Sequence, residues 1–509
     1  MSIIAWKTIN WAQVEFRVRR YQTRIYKASR DNNSSKIRCL QKRLIHSLDA
    51  KLTAVKRVTT LNNGEKTPGI NKKRFVTDNQ KGKLVQKLRL DGKALSIKYV
   101  CIKKPGQKDK RPLSISIVED RAKQALCLLA LEPEWEARFE SNSYGFRPGK
   151  SYHDAIKSIF IKLQNISRDK GFHKYTLNYN VRKYFDKIDQ NYLLTKLETI
   201  PEIENQVKIW LRKDIFEEYQ SGNLDYLSKS IQRPIISPLL ANIVLHGMEN
   251  YLKYWISIRP YFGKTNKYSK NTKHKSLSFI RYADDFLIIH KKKFIIQEVR
   301  EKIVKWLREG PHLEIRETKT SIMNSKKGFD FLGFSILTIT SSKPRIIIYP
   351  SRKSQFNLLF KIQNVIQDNL STSSYNLILK LRPTIIWWTN NFRFSECHKV
   401  FHKITHLIHQ KLRAWVFRRD TRNGRIKVKQ NYFPSGKIYI YDGIKQKDNW
   451  VLTAKQFDKN GIMQEIWLPH IVWVKSKKWV KIKSSKSPFD SENVYWAKRT
   501  FNKVNWSIK

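Results

Sequence analysis

Apolar side chains recur at helical spacing through the first 80 residues, which predicts helix, loop and helix. The apolar positions of the first helix are Trp11, Val14, Val18, Tyr21 and Ile25. A second helix is predicted over about residues 36–59, before Asn-Gly and Pro-Gly pairs break the chain. The pair is either a small core with a solvated basic face or a surface that lies on phosphates. The residues that would contact phosphates are Arg17, Arg20, Arg24, Lys42 and Arg43.

Two stretches further along have the pattern of strand, tight turn and strand. In the first, residues 99–102 and 111–113 flank a basic turn, and Lys103 and Arg111 there would suit a triphosphate or a template backbone. In the second, residues 279–289, two apolar runs enclose an acidic pair. This second hairpin would bury its flanks and present both carboxylates at its tip.

The acidic pair consists of Asp284 and Asp285, within the tetrapeptide Tyr-Ala-Asp-Asp. An unpaired carboxylate is costly to desolvate, and Mg²⁺ removes that objection because it prefers carboxylate and phosphate oxygens. Two such ions about 4 Å apart hold both oxygens of an in-line phosphoryl displacement. A tetrapeptide alone is a weak signal, and a turn with two solvated acids is the alternative. The apolar flanks favour a magnesium site made by Asp284 and Asp285.

The charge of the chain adds a class of partner to this picture. The 509 residues include 100 Lys and Arg against 42 Asp and Glu, a net charge of +58 that is spread along the whole length. A polyanion, RNA or DNA, is the natural partner of so basic a surface. With 40% hydrophobic and 12% aromatic residues, we expect a globular chain of two to four domains.

Cysteine usage and hydropathy exclude other classes. The four cysteines have no pair spacing, which indicates neither a disulfide framework nor a zinc site. No apolar run approaches the roughly 18 residues of a membrane span, and the N-terminus lacks the pattern of a signal or transit peptide, so we expect no membrane role. Heavy use of Lys, Asn and Ile indicates an AT-rich genome. We therefore expect an organelle, with a chloroplast preferred over a mitochondrion.

A series of short motifs extends from the first hairpin past the second. They are Arg-Pro-Leu at 111–113, Glu-Asp-Arg at 119–121, Glu-Ala-Arg-Phe-Glu at 136–140, Ser-Tyr-Gly-Phe-Arg-Pro-Gly at 143–149, Ile-Ser-Pro-Leu-Leu-Ala-Asn at 236–242, Tyr-Ala-Asp-Asp at 282–285, Glu-Thr-Lys-Thr at 317–320 and Gly-Phe-Asp-Phe-Leu-Gly-Phe at 328–334. In this order they resemble the motifs of the reverse transcriptases encoded by group II introns, also called maturases. The resemblance covers nearly the whole chain.

The resemblance implies an α+β right-hand polymerase fold. Residues 1–80 would form a helical RNA-binding extension, 81–340 the fingers and palm with a mixed sheet, 341–420 the helical thumb or maturase domain X, and 421–509 a small basic unit.

The resemblance also implies the residues of a polymerase centre. The catalytic positions implied are Asn180, Asp284, Asp285 and Lys319, although the family has an Asp at the first of them. The cofactor implied is Mg²⁺. The nucleotide or phosphate contacts implied are Lys103, Arg111, Arg147 and Gln232.

In the predicted thumb, aromatic and basic residues interleave on helices. Aromatic rings can stack on bases while Arg and Lys hold phosphates. For Trp387, Trp388 and Trp415 we prefer the alternative that they fill the core, and we assign RNA contact to the surrounding basic residues. These are Arg393, Arg413, Arg418 and Arg419.

The last predicted unit, 421–509, is expected to be rich in strands. Residues 475–483 alternate basic and apolar side chains like an exposed strand. Many members of the family then carry a nuclease module with paired Cys and His. This chain has no such cluster, so we expect no DNA cleavage.

The chain departs from the family pattern at the third carboxylate of the palm. The resemblance places an Asp on the strand beside the hairpin, where this chain has Asn180. An amide oxygen is a neutral and weaker ligand, so the metal pair is one charge short. Asp186 lies roughly 20 Å further along a strand or roughly 9 Å along a helix, too far to replace it. Asp186 and Asp189 are better explained as helix caps or ion-pair partners.

A second departure lies at 229–234, where family members usually have Gly-Thr-Pro-Gln-Gly-Gly. Gln232 is retained, but Arg233 and Pro234 replace the two glycines. Those glycines let the backbone approach the nucleotide and the template, and a bulky residue with a fixed φ obstructs that approach.

We therefore predict an RNA-binding splicing factor of the group II maturase type, with DNA synthesis weak or absent. It would bind folded intron RNA in preference to unfolded RNA, and so stabilise the fold in which the RNA performs its own transesterifications. One alternative is a working RNA-directed DNA polymerase that supports intron mobility, and another is a general RNA chaperone. A DNA target and a homodimer are left open.

Overall fold

A computed structural model describes residues 6–61, 75, 77–94, 98–103, 110–164, 174–180, 189–212, 235–259, 270–313, 321–339, 345–457, 461–483 and 486–504. Of residues 61, 98–103, 110–115, 180, 270–272 and 500–504 it describes the backbone alone. The chain forms two compact units, one made of Met1–Ala155, Tyr175–Ile322 and Ile482–Asn493, the other of Ile156–Lys174, Met323–Lys481 and Val494–Lys509. Within the described ranges, no helix combines the length and the apolar character that crossing a membrane requires.

The first unit holds most of the helices. They are α1 (Trp11–Arg30), α2 (Ser34–His46), α3 (Leu48–Lys56), α4 (Asp78–Lys87), α5 (Val118–Arg138), α6 (Tyr152–Gln164), α7 (Gln190–Leu197), α8 (Pro201–Arg212), α9 (Ser237–Leu245), α10 (Met248–Ile258), α11 (Lys270–Ser276) and α12 (Lys293–Glu309). Its strands are β1 (Lys98–Lys103), β2 (Lys110–Ile115), β3 (Tyr175–Asn180), β4 (Ser278–Tyr282), β5 (Asp285–His290) and β6 (Ser321–Asn324). Two of these elements are divided between the units: α6 belongs to the first unit only as far as Ala155, and β6 only as far as Ile322.

The second unit begins with a small sheet and continues with long helices. Its elements are β7 (Phe329–Phe331), β8 (Phe334–Ile339), β9 (Arg345–Pro350), α13 (Arg352–Gln367), α14 (Ser374–Phe392), α15 (His398–Arg419), α16 (Arg425–Tyr432), β10 (Ile438–Tyr441), β11 (Ile444–Lys447), β12 (Thr453–Phe457), β13 (Met463–Trp467) and α17 (Asn493–Val504). The mixture of helices and largely antiparallel strands agrees with the predicted α+β class.

The N-terminal helices confirm one prediction and correct another. Helix α1 contains all five apolar positions of the predicted first helix, but the single helix expected over 36–59 is broken at Ser47 into α2 and α3. The Ser47 hydroxyl donates to the carbonyl of Leu44 at 2.8 Å and accepts from the N–H of Ala50 at 3.2 Å. A hydroxyl that satisfies both helix ends stabilises a break that apolar spacing does not reveal.

Helix α5 is the buried centre of the N-terminal part, and it contains Pro133. A proline inside a helix has no N–H to donate, so the carbonyl four residues earlier, that of Leu129, has no helical donor. The side chain of Gln22 on α1 donates to that carbonyl at 3.1 Å. Gln22 is 7% exposed, so α1 supplies a buried hydrogen bond that the sequence of α5 removes.

The main sheet of the first unit has the strand order β4-β5-β3-β6. Strand β5 is central, and it pairs antiparallel with β4 on one side and β3 on the other. Its residues Phe286, Leu287, Ile288 and Ile289 are fully buried, which explains the continuous apolar run in the sequence. Helix α12 packs on β3 and β5.

In the second unit, the predicted C-terminal strands form two antiparallel hairpins, β10–β11 and β12–β13. The strand predicted over 475–483 is wrong, because the described chain there has no strand pairing. Alternation of basic and apolar residues arises equally in an irregular segment that buries one side chain, here Ile482, which is 3% exposed.

Candidate polymerase centre and nucleic-acid surface

The acidic pair lies where the sequence predicts it, at the tip of the β4–β5 hairpin. Tyr282 and Asp285 are the last paired residues, and Ala283 and Asp284 form the turn between them. Ala283 has a φ of 55°, a left-handed conformation that a residue with a Cβ adopts only under constraint. Both aspartates are partly exposed, so their carboxylates can meet a bound ion.

The constraint on the hairpin comes from the loop after α5. The N–H of Tyr144 donates to the carbonyl of Arg281 at 2.8 Å, and the N–H of Arg281 donates to the carbonyl of Asn142 at 3.0 Å. Beside these bonds, Gly145 approaches the turn so closely that a Cβ on it would lie 2.3 Å from the N of Ala283. Only glycine permits that contact, so the loop packs directly against the backbone of the turn and constrains its conformation.

A side-chain network completes this support. Arg281 is 1% exposed, and its guanidinium donates to the side-chain carbonyl of Asn242 at 3.1 Å. The amide of Asn242, on α9, donates in turn to the carbonyl of Gly145 at 2.8 Å. The motifs at 143–149 and 236–242 contain Gly145 and Asn242, but sequence reasoning assigned no role to either residue or to Arg281. A glycine beside aromatic residues and an Asn within an apolar helix were the available signals.

A buried carboxylate, that of Glu140, compensates positive charge in the same region. Its carboxylate accepts from the N–H of Gly247 at 2.6 Å and lies 2.8 Å from Nδ1 of His246. Burial alone would raise the pKa of Glu140, but the hydrogen bond and charge of His246 and the charge of Arg281 outweigh it and lower the pKa to about 2. Glu140 is therefore ionised at neutral pH and offsets the buried charge of Arg281.

Strand β3 places Asn180, the position where the family has an Asp, next to the acidic pair. Asn180 is the register partner of Asp285 in the β3–β5 ladder, so its backbone lies directly beside the tip. Among the described residues, no group of three or more His, Cys, Asp or Glu is arranged to hold a metal ion. The described part of the chain thus supplies two carboxylates at this place, and the position on the third strand is an Asn.

This donor set fits a bound magnesium ion less well than three carboxylates would. Asp284 and Asp285 are hard oxygen donors of the type that Mg²⁺ prefers, and they would hold it. A bound Mg²⁺ would supply positive charge to phosphate oxygens. Two such ions carry a charge of +4, which the two carboxylates offset only by half, so a second ion would bind weakly.

For two of the predicted contact residues, the structure contradicts the prediction. Arg147 is 6% exposed and forms a double hydrogen bond with the carboxylate of Glu136, at 2.7 and 2.8 Å. It also donates to the carbonyls of Glu140 and Ser143, so it organises the loop instead of binding phosphate. Arg393 is also 6% exposed, which removes it from the surface that RNA could contact.

Other predicted residues are only partly covered by the structure. Lys103 and Arg111 lie in the predicted β1–β2 hairpin, where Arg111 is the register partner of Ile102, and their side chains lie outside the described atoms. Asp189 is confirmed as a helix cap, since its carboxylate accepts from the N–H of Tyr192 at 2.9 Å. The positions outside the described residues are Lys319, Asp186, Gln232, Arg233 and Pro234.

On the N-terminal helices, the predicted basic residues face solvent. Arg20, Arg24 and Arg43 are exposed, and Lys42 is exposed with Glu202 4.0 Å away. Arg17 is different, because its guanidinium makes two hydrogen bonds of 2.7 and 2.8 Å with Asp49. Arg17 therefore joins α1 to α3, while the other four remain available to a polyanion.

The three long helices of the second unit have a distinctive charge pattern. No Asp or Glu occurs within α13, α14 or α15. Arg413 and Arg418 are exposed, whereas Arg419 donates to the carbonyls of Leu370 and Thr372. This surface suits a polyanion and repels a cationic partner. The basic residues of the three helices are Arg352, Lys353, Lys361, Lys380, Arg382, Lys399, Lys403, Lys411, Arg413, Arg418 and Arg419.

The tryptophans of these helices divide between core and surface. Trp388 and Trp415 are each 4% exposed, which confirms the core role preferred from the sequence. Trp387 is 68% exposed, so for this residue the core prediction is wrong. Adjacent helical residues point in directions about 100° apart, and only one of the pair can face the interior.

Family models match three successive parts of the chain. A model of the N-terminal domain of reverse transcriptase matches residues 6–88. A model of reverse transcriptase, an RNA-dependent DNA polymerase, matches 102–336, and a model of the group II intron maturase-specific domain matches 357–433. The central match defines the class: the first unit is built on the reverse-transcriptase fold, the fingers and palm of a right-hand polymerase.

The two flanking matches narrow the class to one family. The chain belongs to the group II intron-encoded reverse transcriptases, or maturases, as its motifs predict. The exact boundaries proposed for its four domains stay predictions. Reverse transcriptases generally use divalent metal ions, in keeping with a carboxylate pair at the hairpin tip.

Several curated relatives are similar over large parts of the chain. Protein YkfC of Escherichia coli is 28% identical over 295 residues, which cover 53% of this chain and 72% of YkfC. Maturase-like protein 1 of Euglena gracilis is 24% identical over 387 residues, 75% of this chain and 76% of that protein. The group II intron-encoded protein LtrA of Lactococcus lactis is 27% identical over 287 residues, 47% of this chain and 46% of LtrA.

Proposed function

We propose that this protein is a maturase that binds group II intron RNA and promotes its splicing, with DNA synthesis weak or absent. The observation that carries the proposal is the pairing of Asn180 with Asp285 in the β3–β5 ladder. An amide stands where a polymerase palm needs a third negative ligand. The supporting hairpin, loop and helix are nevertheless intact, so the domain keeps its shape without a complete metal site.

The charge distribution supports RNA binding by the rest of the molecule. Exposed arginines and lysines on α1 and α2, and the acid-free helices α13 to α15, form cationic surfaces in both units. Each phosphate contact releases counterions, so such surfaces bind RNA tightly at low salt and less tightly at high salt. Binding that is tighter to folded than to unfolded intron RNA stabilises the folded RNA by linkage.

A splicing assay tests the proposal. A group II intron transcript from the same genome is incubated at a Mg²⁺ concentration at which it does not splice alone. Added protein is expected to restore splicing in proportion to its binding. A structured RNA of equal length and unrelated sequence serves as competitor. If it displaces the intron at equal concentration, the protein is a general RNA chaperone, and the maturase proposal is refuted.

The second candidate is an active RNA-directed DNA polymerase, favoured by the retained carboxylates of Asp284 and Asp285 at the tip. In that function Asn180 would give partial ligation. The negative charge of the triphosphate or the leaving group would be neutralised by Lys103, Arg111 and Lys319. Intron mobility would also require a DNA target. That target, a homodimer and an organellar location, with a chloroplast preferred, stay predictions from the sequence.

A further inference from the structure

An exposed apolar stripe that ends in an aromatic ring runs along α14. Leu379, Pro383 and Trp387 follow one another at four-residue spacing, which places them on one face of the helix. All three are exposed, Leu379 to 49% and Trp387 to 68%. The next residue, Trp388, is 4% exposed and supplies the core contact of this turn. Trp387 is therefore not needed for packing, and its large apolar ring faces water.

The charge around the stripe indicates what could cover it. The three helices α13, α14 and α15 contain no acidic residue, so every ionised side chain that the helices themselves present to a partner is basic. A second exposed ring lies on α13, where Phe356 is 66% exposed and stacks on Phe360 with centroids 6.0 Å apart. Exposed rings on helices whose charged residues are all basic offer the two groups that hold single-stranded nucleic acid, a stacking plane and a phosphate contact.

We propose that Trp387 is a stacking platform for an unpaired base of the bound RNA. The inference rests on the proposed function and adds that this domain recognises single-stranded segments, such as loops or bulges. In a duplex the faces of the bases are stacked on each other, and only an unpaired base can offer its face to a side chain. A protein partner would need an acidic surface to bind these helices. A nucleotide supplies both a negative phosphate for the basic residues and a π-face for the ring.

Two probes distinguish stacking from charge attraction. One is an oligouridylate of about 12 nucleotides, and the other is an RNA duplex of the same length. Anisotropy titrations over a range of KCl give the affinity and its salt slope for each. Trp387→Ala is expected to weaken oligouridylate binding about 5-fold or more, with the salt slope unchanged, and to leave duplex binding unaltered. Trp387→Phe keeps a ring and is expected to retain most of the affinity.

Tyr254→Ala is the matched control. Tyr254 is 64% exposed and lies on α10 in the first unit, outside the three acid-free helices. Its removal is expected to change neither affinity nor slope. Far-UV circular dichroism and thermal unfolding of each variant show whether the fold is kept, and the exposure of both rings predicts that it is.

Three results would overturn the inference. In the first, Trp387→Ala binds both probes as tightly as the unmodified protein. In the second, it weakens both probes equally with a shallower slope, which indicates an electrostatic effect. In the third, it alters the molar mass in solution without changing RNA affinity, which indicates a protein interface. If the unmodified protein itself binds neither probe, the proposed RNA-binding function fails as well, and the two failures are thereby told apart.

Discussion

The close approach of Gly145 to the hairpin gives a prediction whose size follows from the structure. In Gly145→Ala, the added Cβ would lie 2.3 Å from the N of Ala283, 2.9 Å from the C of Tyr282 and 3.1 Å from the Cα of Ala283. All three atoms belong to backbone, so no side chain can turn away. The loop and the tip must separate by about 1 Å to reach ordinary contact.

That separation strains three hydrogen bonds between the loop and its neighbours. Two link Asn142 and Tyr144 with Arg281, and the third runs from Asn242 to Gly145. At about 1 kcal/mol each, with an overpacking cost of about 1–3 kcal/mol, the loss of stability is about 4–6 kcal/mol. Urea unfolding of the protein measures it, and hydrogen exchange of the Arg281 amide shows whether the loop has come away.

Gly92→Ala is the control in the same unit. Gly92 has a φ of 64°, and a Cβ there meets nothing within 4 Å, so only the left-handed backbone penalty of about 1–2 kcal/mol applies. The reasoning is refuted if Gly145→Ala costs no more than Gly92→Ala and the Arg281 amide stays protected.

Three further predictions concern other parts of the chain. Gln22→Ala leaves a buried carbonyl on α5 without a donor and should cost about 1–3 kcal/mol in urea unfolding. Glu140→Gln should remove a stabilisation of about 3 kcal/mol, because the pKa of Glu140 is about 2 in the folded protein. The unmodified protein has this stabilisation above pH 4.5 and loses it as the pH falls towards 2. Acid unfolding of both proteins measures the difference. Arg413→Ala should lower the salt slope of RNA binding by about 0.7, whereas Arg147→Leu should lower stability and leave the slope unchanged.

Each of these three has a clear opposite result. The first is contradicted by unchanged stability of Gln22→Ala, and the second by parallel acid-unfolding curves for the two proteins. The third is contradicted if Arg147→Leu retains full stability and lowers the salt slope, since that is the behaviour of an exposed phosphate ligand.

The predictions from sequence succeed where one short signal determines the structure. The hairpin with Asp284 and Asp285 is such a case, because two apolar runs around a turn have few alternatives. The β1–β2 pair and the cap at Asp189 are others. In each case the residues that decide the outcome are close together in the chain.

The predictions fail where the outcome depends on distant contacts or on the direction of a side chain. Arg147 has the composition of a phosphate ligand, but Glu136 on α5 binds it in the interior. Trp387 and Trp388 are equivalent in sequence, and only the packing of α14 decides which one faces water. Ser47 breaks a helix through hydrogen bonds that hydrophobic periodicity does not record.

The support of the hairpin tip illustrates the same limit. Gly145, Asn242 and Arg281 lie far apart in the chain, and nothing in the local sequence indicates that they meet. Family motifs mark the positions, but the reason for each residue type appears only with the contacts. Gly145 is required because a Cβ would collide with the hairpin backbone, and the buried Arg281 and Asn242 form a hydrogen bond with each other.

Primer extension on an RNA template tests the central claim most directly. The unmodified protein is compared in Mg²⁺ with Asn180→Asp, alone and combined with Arg233→Gly and Pro234→Gly. We predict little or no DNA from the unmodified protein and more from the variants, as the third carboxylate and the flexible glycines return. Robust DNA synthesis by the unmodified protein would contradict the account, because an amide beside Asp285 would then suffice for nucleotide addition.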